Sequence, residues 1–209
     1  MASLNLSFDD IRLIICVQGY SLDSGFILRE IGFWSHGFSG SIPFNCRVNK
    51  DQIDPKNQRT IYACEEEING IKLKNNFEFG LSISETKAVL RSLYHICDNS
   101  NGKYIGICRD GHINGLLFKA GLGNYVYDLD NLNQFKNSTD KCPSNKDLQY
   151  ILKSNPKQFS ICKLHDRLRT DDVPICAKVK SEFLAEYCIT YVNPNVNPEI
   201  IHIIETSIE

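Results

Sequence analysis

Ile11-Arg-Leu-Ile-Ile-Cys-Val17 is a run of aliphatic and β-branched residues too short for a helix and apolar enough for the centre of a sheet. Its reading decides the fold, because it sets a sheet at the centre of the domain. Gln18-Gly-Tyr-Ser-Leu-Asp-Ser-Gly25 is rich in turn formers and predicts a connection. Phe26-Ile-Leu-Arg-Glu-Ile-Gly-Phe-Trp-Ser35 resumes an extended, mainly apolar stretch, and Phe44-Asn-Cys-Arg-Val48 fits a third strand. Two or three antiparallel strands at the start of a chain open an α+β or mixed sheet.

Downstream, Asp51 to Phe79 mixes polar residues with short apolar pieces and an acidic run, Glu65-Glu-Glu67, so loops and one irregular helix are expected. Ser84 to Cys97 has helical spacing, with Ser84 as the expected cap before Glu85. Lys103 to Cys108 reads as a strand, His112 to Ala120 as a helix across Ile113, Leu116, Leu117 and Phe118, and Asn124 to Asp128 as another strand. Strand, helix, strand implies a right-handed parallel crossover. Lys146 to Lys153 predicts a short helix. Ile175 to Tyr191 predicts a longer one that buries Ala177, Val179, Phe183, Leu184 and Tyr187. Asn193 to Pro198 breaks it, and Ile200 to Ile204 is an apolar tail.

The 209 residues suffice for one sizeable domain, expected to span residues 1–209 with a core at about 10–190. Hydrophobic residues make up 42% and charged residues 23%, the balance of a globular chain, and no apolar run has the length of a bilayer span. The start of the chain lacks the basic and apolar blocks of a secretory signal, so an intracellular location, cytoplasmic or nuclear, is expected. Nine cysteines in that setting are expected to be thiols, buried or bound to metal. A net charge of −2 argues against a generic polyanion-binding surface. Any nucleic-acid contact must be local, and the basic stretch is Lys153 to Arg169, continued by Lys178 and Lys180.

Cys162-Lys163-Leu164-His165, followed after ten intervening residues by Cys176, sets three soft-metal ligands within fifteen residues. Cys-x2-His lets a thiolate and an imidazole reach one ion, which points to zinc, and three ligands leave a tetrahedron open. Cys142 and Cys188 compete for the fourth place. A Cys-His nucleophile pair is the alternative use of these residues, but no glycine-rich oxyanion turn precedes either cysteine. His36, His95, His112 and His202 lack ligand-spaced neighbours.

The order of early strands, helix, strand, helix, strand and closing helices resembles the ribonuclease H-like fold of the DEDDh exonucleases. In those enzymes the first strand carries Asp-x-Glu, and four carboxylates hold two divalent cations. Here the corresponding positions read Cys16-Val17-Gln18, and a thiol with a carboxamide cannot supply the charge magnesium requires. The later motif is also altered: Thr170 stands five residues after His165, with Asp171 one place late. A degenerate exonuclease-like scaffold with Cys-x2-His and a further Cys resembles the Maelstrom domain family. That resemblance implies a Glu-Cys-His-Cys zinc set whose glutamate lies on the second strand, hence Glu30, Cys162, His165 and Cys176. Zinc would then staple the two ends of an α/β, mixed-sheet domain. A buried Glu30 paired to Arg29 or a lysine is the competing expectation. Family members usually carry a basic HMG-box domain ahead of this region, and these 209 residues contain none.

The resemblance implies a single-stranded RNA-binding protein of small-RNA (Piwi-type) silencing, with structural zinc, silencing-complex proteins as partners, and single-stranded RNA endonuclease activity independent of the exonuclease carboxylates. Lys163, Arg167, Arg169, Lys178 and Lys180 are the candidate RNA contacts. The alternative is a catalytically dead nuclease fold that serves as a protein-interaction scaffold, which the acidic balance favours.

Overall fold

A computed structural model of the chain describes residues 6–44, 53–72, 83–97, 102–108, 111–132, 135, 142–143, 147–148, 150–151, 161–162, 165 and 174–192. Ile11 to Val17 lies in the central strand of the sheet. β1 (Ile11–Leu22) pairs antiparallel with β2 (Gly25–Ser35), which pairs antiparallel with β3 (Phe38–Pro43). On its other side β1 runs parallel to β4 (Tyr104–Ile107), and β4 parallel to β5 (Val126–Asp128). The sheet order is therefore β3-β2-β1-β4-β5. The helices are α1 (Pro55–Ala63), α2 (Ile83–Ile96), α3 (Gly111–Lys119) and α4 (Ala177–Val192).

Alternation along β1 divides the core into two layers. Leu13, Ile15 and Val17 face one side, where they pack with Ile31, Ile105 and Ile107 beneath Leu90 and Leu93 of α2 and Ile113 and Leu117 of α3. Ile14 and Cys16 face the other, against Ala177, Val179, Phe183 and Leu184 of α4. This is why Ile11 to Val17 reads as continuously apolar: both faces are covered, as they are in a central strand between helix layers.

The strands depart from expectation in two places. The predicted connection from Gln18 to Gly25 shrinks to Asp23 and Ser24, because β1 continues as far as Leu22, past a register shift at Gln18 and Gly19 where β2 carries Arg29 as the extra residue. Burial drives this continuation: Tyr20 is fully enclosed, packs on Ile61 of α1, and donates its hydroxyl to the Ile71 carbonyl. The third strand comes earlier than Phe44 to Val48. The reversal at Gly37, whose φ is +95°, lets pairing begin at Phe38, and Phe44 ends the strand with its N–H on the Arg29 carbonyl at 2.7 Å. Residues 45–48 lie outside the described set.

The helices fall closer to expectation. The irregular helix expected between Asp51 and Phe79 is α1, capped by Asp54 and continued by a π turn at Cys64–Ile68. Ser84 lies inside α2 rather than at its cap, since the helix already includes Ile83. Of the short helix expected at Lys146 to Lys153, residues Asp147, Leu148, Tyr150 and Ile151 are helical. No helix among the described residues is long and apolar enough to cross a membrane. The apolar tail at Ile200 to Ile204 lies outside the described residues.

The start of α4 comes close against the sheet at Gly32 on β2. A Cβ placed there would stand 1.9 Å from the carbonyl carbon of Ala177, the first residue of α4. Only glycine lets the start of α4 rest on the strand, and that seating carries Cys176 to the residues around Glu30. Gly32→Ala is expected to lower unfolding stability by about 3 kcal/mol or more. Gly115→Ala, on an exposed turn of α3 with nothing within 4 Å, should raise it by roughly 0.5–1 kcal/mol. Urea denaturation of the two variants beside the parent protein measures both.

Candidate metal centre

Glu30 sits in the middle of β2 opposite Gln18 of β1, and its side chain points to the α4 face. It has no exposed surface. A carboxylate in that position must be compensated by donors or by positive charge. The expectation that Arg29 would do this fails, because its guanidinium is engaged elsewhere. Arg29 directs Nη2 to the Lys72 carbonyl at 2.8 Å, and Lys72 itself pairs with Glu66.

The groups that meet Glu30 are those of the cysteine-histidine motif. Cys162 Sγ lies 3.2 Å and Cys176 Sγ 3.4 Å from Glu30 Oε1, while Oε2 accepts the Ala177 N–H at 2.8 Å and stands 3.2 Å from His165 Nε2. One donor atom from each of Glu30, Cys162, His165 and Cys176 lies within 4.8 Å of every other, so the four could hold a metal ion. Carboxylate, imidazole and two sulfurs converge in a pocket from which water is largely excluded.

The donor set fits a cation on two observations. His165 Nδ1 is bound to the Asn69 carbonyl, which can only accept, so Nδ1 carries a hydrogen and Nε2 is the ring atom that faces Glu30 and is left for an ion once its own proton is displaced. In addition, His165 Nε2 is buried and has no aligned hydrogen-bond partner, although a carboxylate oxygen is close by. An ion between nitrogen, oxygen and sulfur atoms would satisfy all of them at once. Tetrahedral zinc, with bonds of about 2.0–2.3 Å, holds its ligand atoms roughly 3.3–3.8 Å apart, near the 3.2, 3.4 and 3.2 Å at which Cys162, Cys176 and His165 approach the Glu30 oxygens.

Proton affinities in the ion-free pocket follow from the same geometry. Burial works against a charged His165. The Cys162 and Glu30 side chains and the Asn69 carbonyl outweigh it, and raise the imidazole to about 10. The Cys176 thiol is pushed up by its hydrogen bond with Cys162, by burial and by the Glu30 charge. Metal entry must displace these protons, which couples affinity to pH.

Three supporting groups carry no signal in the ligand spacing. The Asn69 carbonyl, set at the end of the π turn, orients His165, and Asn69 fixes its own turn by accepting the Ile71 N–H at 2.9 Å. The Ala177 N–H at the start of α4 holds Glu30, and Gly32 lets that helix start come close. The Asn69-Gly70 dipeptide was the available clue, since it marks a tight turn and Gly70 adopts a φ of +66°. Cys142 and Cys188, the competitors for the fourth ligand, lie elsewhere and contact each other. His36 packs against Phe8 and Trp34, and His112 stacks on Phe26 with ring centroids 4.2 Å apart.

Of the predicted RNA contacts, Lys163, Arg167 and Arg169 lie outside the described residues. Lys178 is tied to Glu182 on its own helix at 3.0 Å, and Glu182 also accepts the Ser39 hydroxyl of β3, so this lysine is directed along the sheet edge. Lys180 instead lines a crevice of about 400 Å³ together with Val17, Gln18, Asn69, Cys108 and His112.

The fold and site thus define an α/β protein with a mixed five-stranded sheet and a buried Glu-Cys-His-Cys constellation able to hold a metal ion. No protein-family model, no curated protein and no solved structure matches the chain.

Removing the carboxylate leaves two thiols, an imidazole and the Ala177 N–H without their common partner. Glu30→Ala should therefore cost about 3–5 kcal/mol of unfolding free energy. Chelation of the parent protein should lower its melting temperature, and Cys162→Ser should show a smaller chelator-dependent shift than the parent. Differential scanning fluorimetry, with urea denaturation of Glu30→Ala, measures these effects.

Proposed function

We propose that this protein binds single-stranded RNA on a degenerate ribonuclease H-like scaffold, in the setting of small-RNA (Piwi-type) silencing, with zinc held by Glu30, Cys162, His165 and Cys176 as a structural element. The sheet order β3-β2-β1-β4-β5, with only β2 antiparallel to its neighbours in the β2-β1-β4-β5 portion, supports the scaffold. Two sulfurs, one imidazole and one carboxylate in a closed, buried set support zinc over a hard cation. Bound there, zinc would contribute folding free energy by tying β2 to the segments ahead of α4.

The observation that carries RNA binding is the crevice beside Lys180. In open sheets with parallel strands, ligands bind beyond the carboxyl ends of the strands where the chain order reverses. Here that point falls between β1, which leads to β2 and β3, and β4, which leads to β5 on the other side. The crevice is lined there by Val17 and Gln18 of β1, Cys108 after β4, and Gly111 and His112 at the start of α3. Its described lining contains no carboxylate, which favours a bound polyanion over a two-cation site. Lys180 supplies a charge for phosphate, and the Phe26–His112 stack supplies a flat apolar surface for a base. Cys16 and Gln18, at the positions of the exonuclease carboxylates, are both buried on the sheet. Any cleavage of single-stranded RNA would then proceed without the two-metal arrangement.

Fluorescence anisotropy with a labelled single-stranded RNA tests this reading. Lys180→Ala is expected to weaken binding several-fold and to reduce the salt-dependence slope by about 1, whereas Lys178→Ala leaves both near their original values. Failure of the parent protein to bind single-stranded RNA at low salt would contradict the reading and favour the protein-interaction scaffold.

A further inference from the structure

A second set of metal-competent side chains lies apart from Glu30. Cys108 directly follows β4, Asp130 lies in the 3-10 turn Leu129–Asn131 that follows β5, and Cys142 is brought back to both. Because β4 and β5 are parallel neighbours, Cys108 and Asp130 emerge at the same end of the sheet. One donor atom from each of the three residues lies within 4.8 Å of the others. Cys142 and Cys108 are buried, and the Cys142 thiol is in hydrogen-bond contact with both Cys108 and Cys188 of α4.

The backbone holds this set in place. Asp130 Oδ1 accepts the Cys142 N–H at 2.8 Å, and the Asp130 N–H is in turn held by Asp128 Oδ1 at 3.1 Å. A carboxylate oriented by the amide of a neighbouring cysteine is the kind of outer support that fixes metal ligands. Cys108 also borders the crevice, so an ion has a path in from solvent.

We propose that Cys108, Asp130 and Cys142 form a second zinc site, with Cys188 beside Cys142 as the adjacent thiol. Two sulfurs with a carboxylate suit a borderline divalent cation, whereas an all-sulfur set would suit copper(I) better. The ion joins the ends of β4 and β5 to the chain beyond Phe135, as the Glu30 site joins β2 to the start of α4. The two sites share no ligand. The second therefore does not depend on the first or on RNA binding.

Native mass spectrometry of the full chain, purified under reducing conditions without chelator and titrated with zinc, tests the proposal. Two zinc ions per chain are expected. Cys142→Ala should lose one and keep the ion that depends on Cys162, while Cys162→Ser should lose one and keep the ion that depends on Cys142. Asp130→Asn preserves size and the acceptor for the Cys142 N–H, and should weaken the second ion at least tenfold with an unchanged circular dichroism spectrum. It therefore remains informative if Cys142→Ala fails to fold. A single zinc that Cys142→Ala and Asp130→Asn both leave in place overturns the proposal. So does an unreduced protein 2 Da lighter than its reduced form with a Cys108–Cys142 peptide, since those sulfurs would then form a disulfide. If the Glu30 reading alone were wrong, one zinc would remain that is lost with Cys142→Ala and kept in Cys162→Ser.

Discussion

The Glu30 carboxylate is the constraint around which much of the described structure is arranged. It lies on an interior strand with no exposure to water, where an uncompensated charge would be unfavourable by several kcal/mol. Its compensation comes from groups more than 130 residues away: the thiols of Cys162 and Cys176, the imidazole of His165 and the Ala177 amide. None of these belongs to the sheet. The carboxylate therefore ties the first hairpin to α4, and makes the docking of that helix specific where apolar burial alone would tolerate a shifted seating.

The same carboxylate explains less obvious features around it. Gly32 is required two residues further along the same face, because α4 must start close enough for the Ala177 N–H to reach Oε2. The π turn that ends at Ile68 delivers the Asn69 carbonyl to His165, while the Ile68 carbonyl accepts the Ile175 N–H at 3.0 Å. One turn thus orients a ligand and anchors the chain entering the site. Such π turns recur where a helix must place a backbone group for a site at some cost in regular hydrogen bonding.

How much of this was legible in the sequence depended on the range of the interaction. Ile11 to Val17 announced a central strand because both of its faces are covered, and α2, α3 and α4 carried their helical spacing plainly. The continuation of β1 past Gln18 was not readable, since Gly19, Ser21 and Asp23 are turn residues locally and only the burial of Tyr20 overrides them. Cys162, His165 and Cys176 were visible from spacing, whereas Glu30 came from family resemblance: one glutamate among apolar strand residues has no local partner to reveal it. Cys108, Asp130 and Cys142 share no spacing pattern, and only the parallel β4–β5 pairing brings two of them together. Spacing along the basic stretch did not separate its members either: Lys178 pairs with Glu182, while Lys180, two residues on, lines the crevice.

Native-state amide hydrogen exchange of the protein before and after metal removal tests most directly whether the Glu30 constellation is an ion-dependent tie between the two ends of the fold. The account predicts a marked loss of protection at Ala177 to Lys180, at Ile175 and at the β2 amides around Glu30, with the amides of α2 and α3 little changed. Identical exchange at Ala177 and Ile175 in the two states would contradict it, and leave Glu30 a buried carboxylate held by protein donors alone.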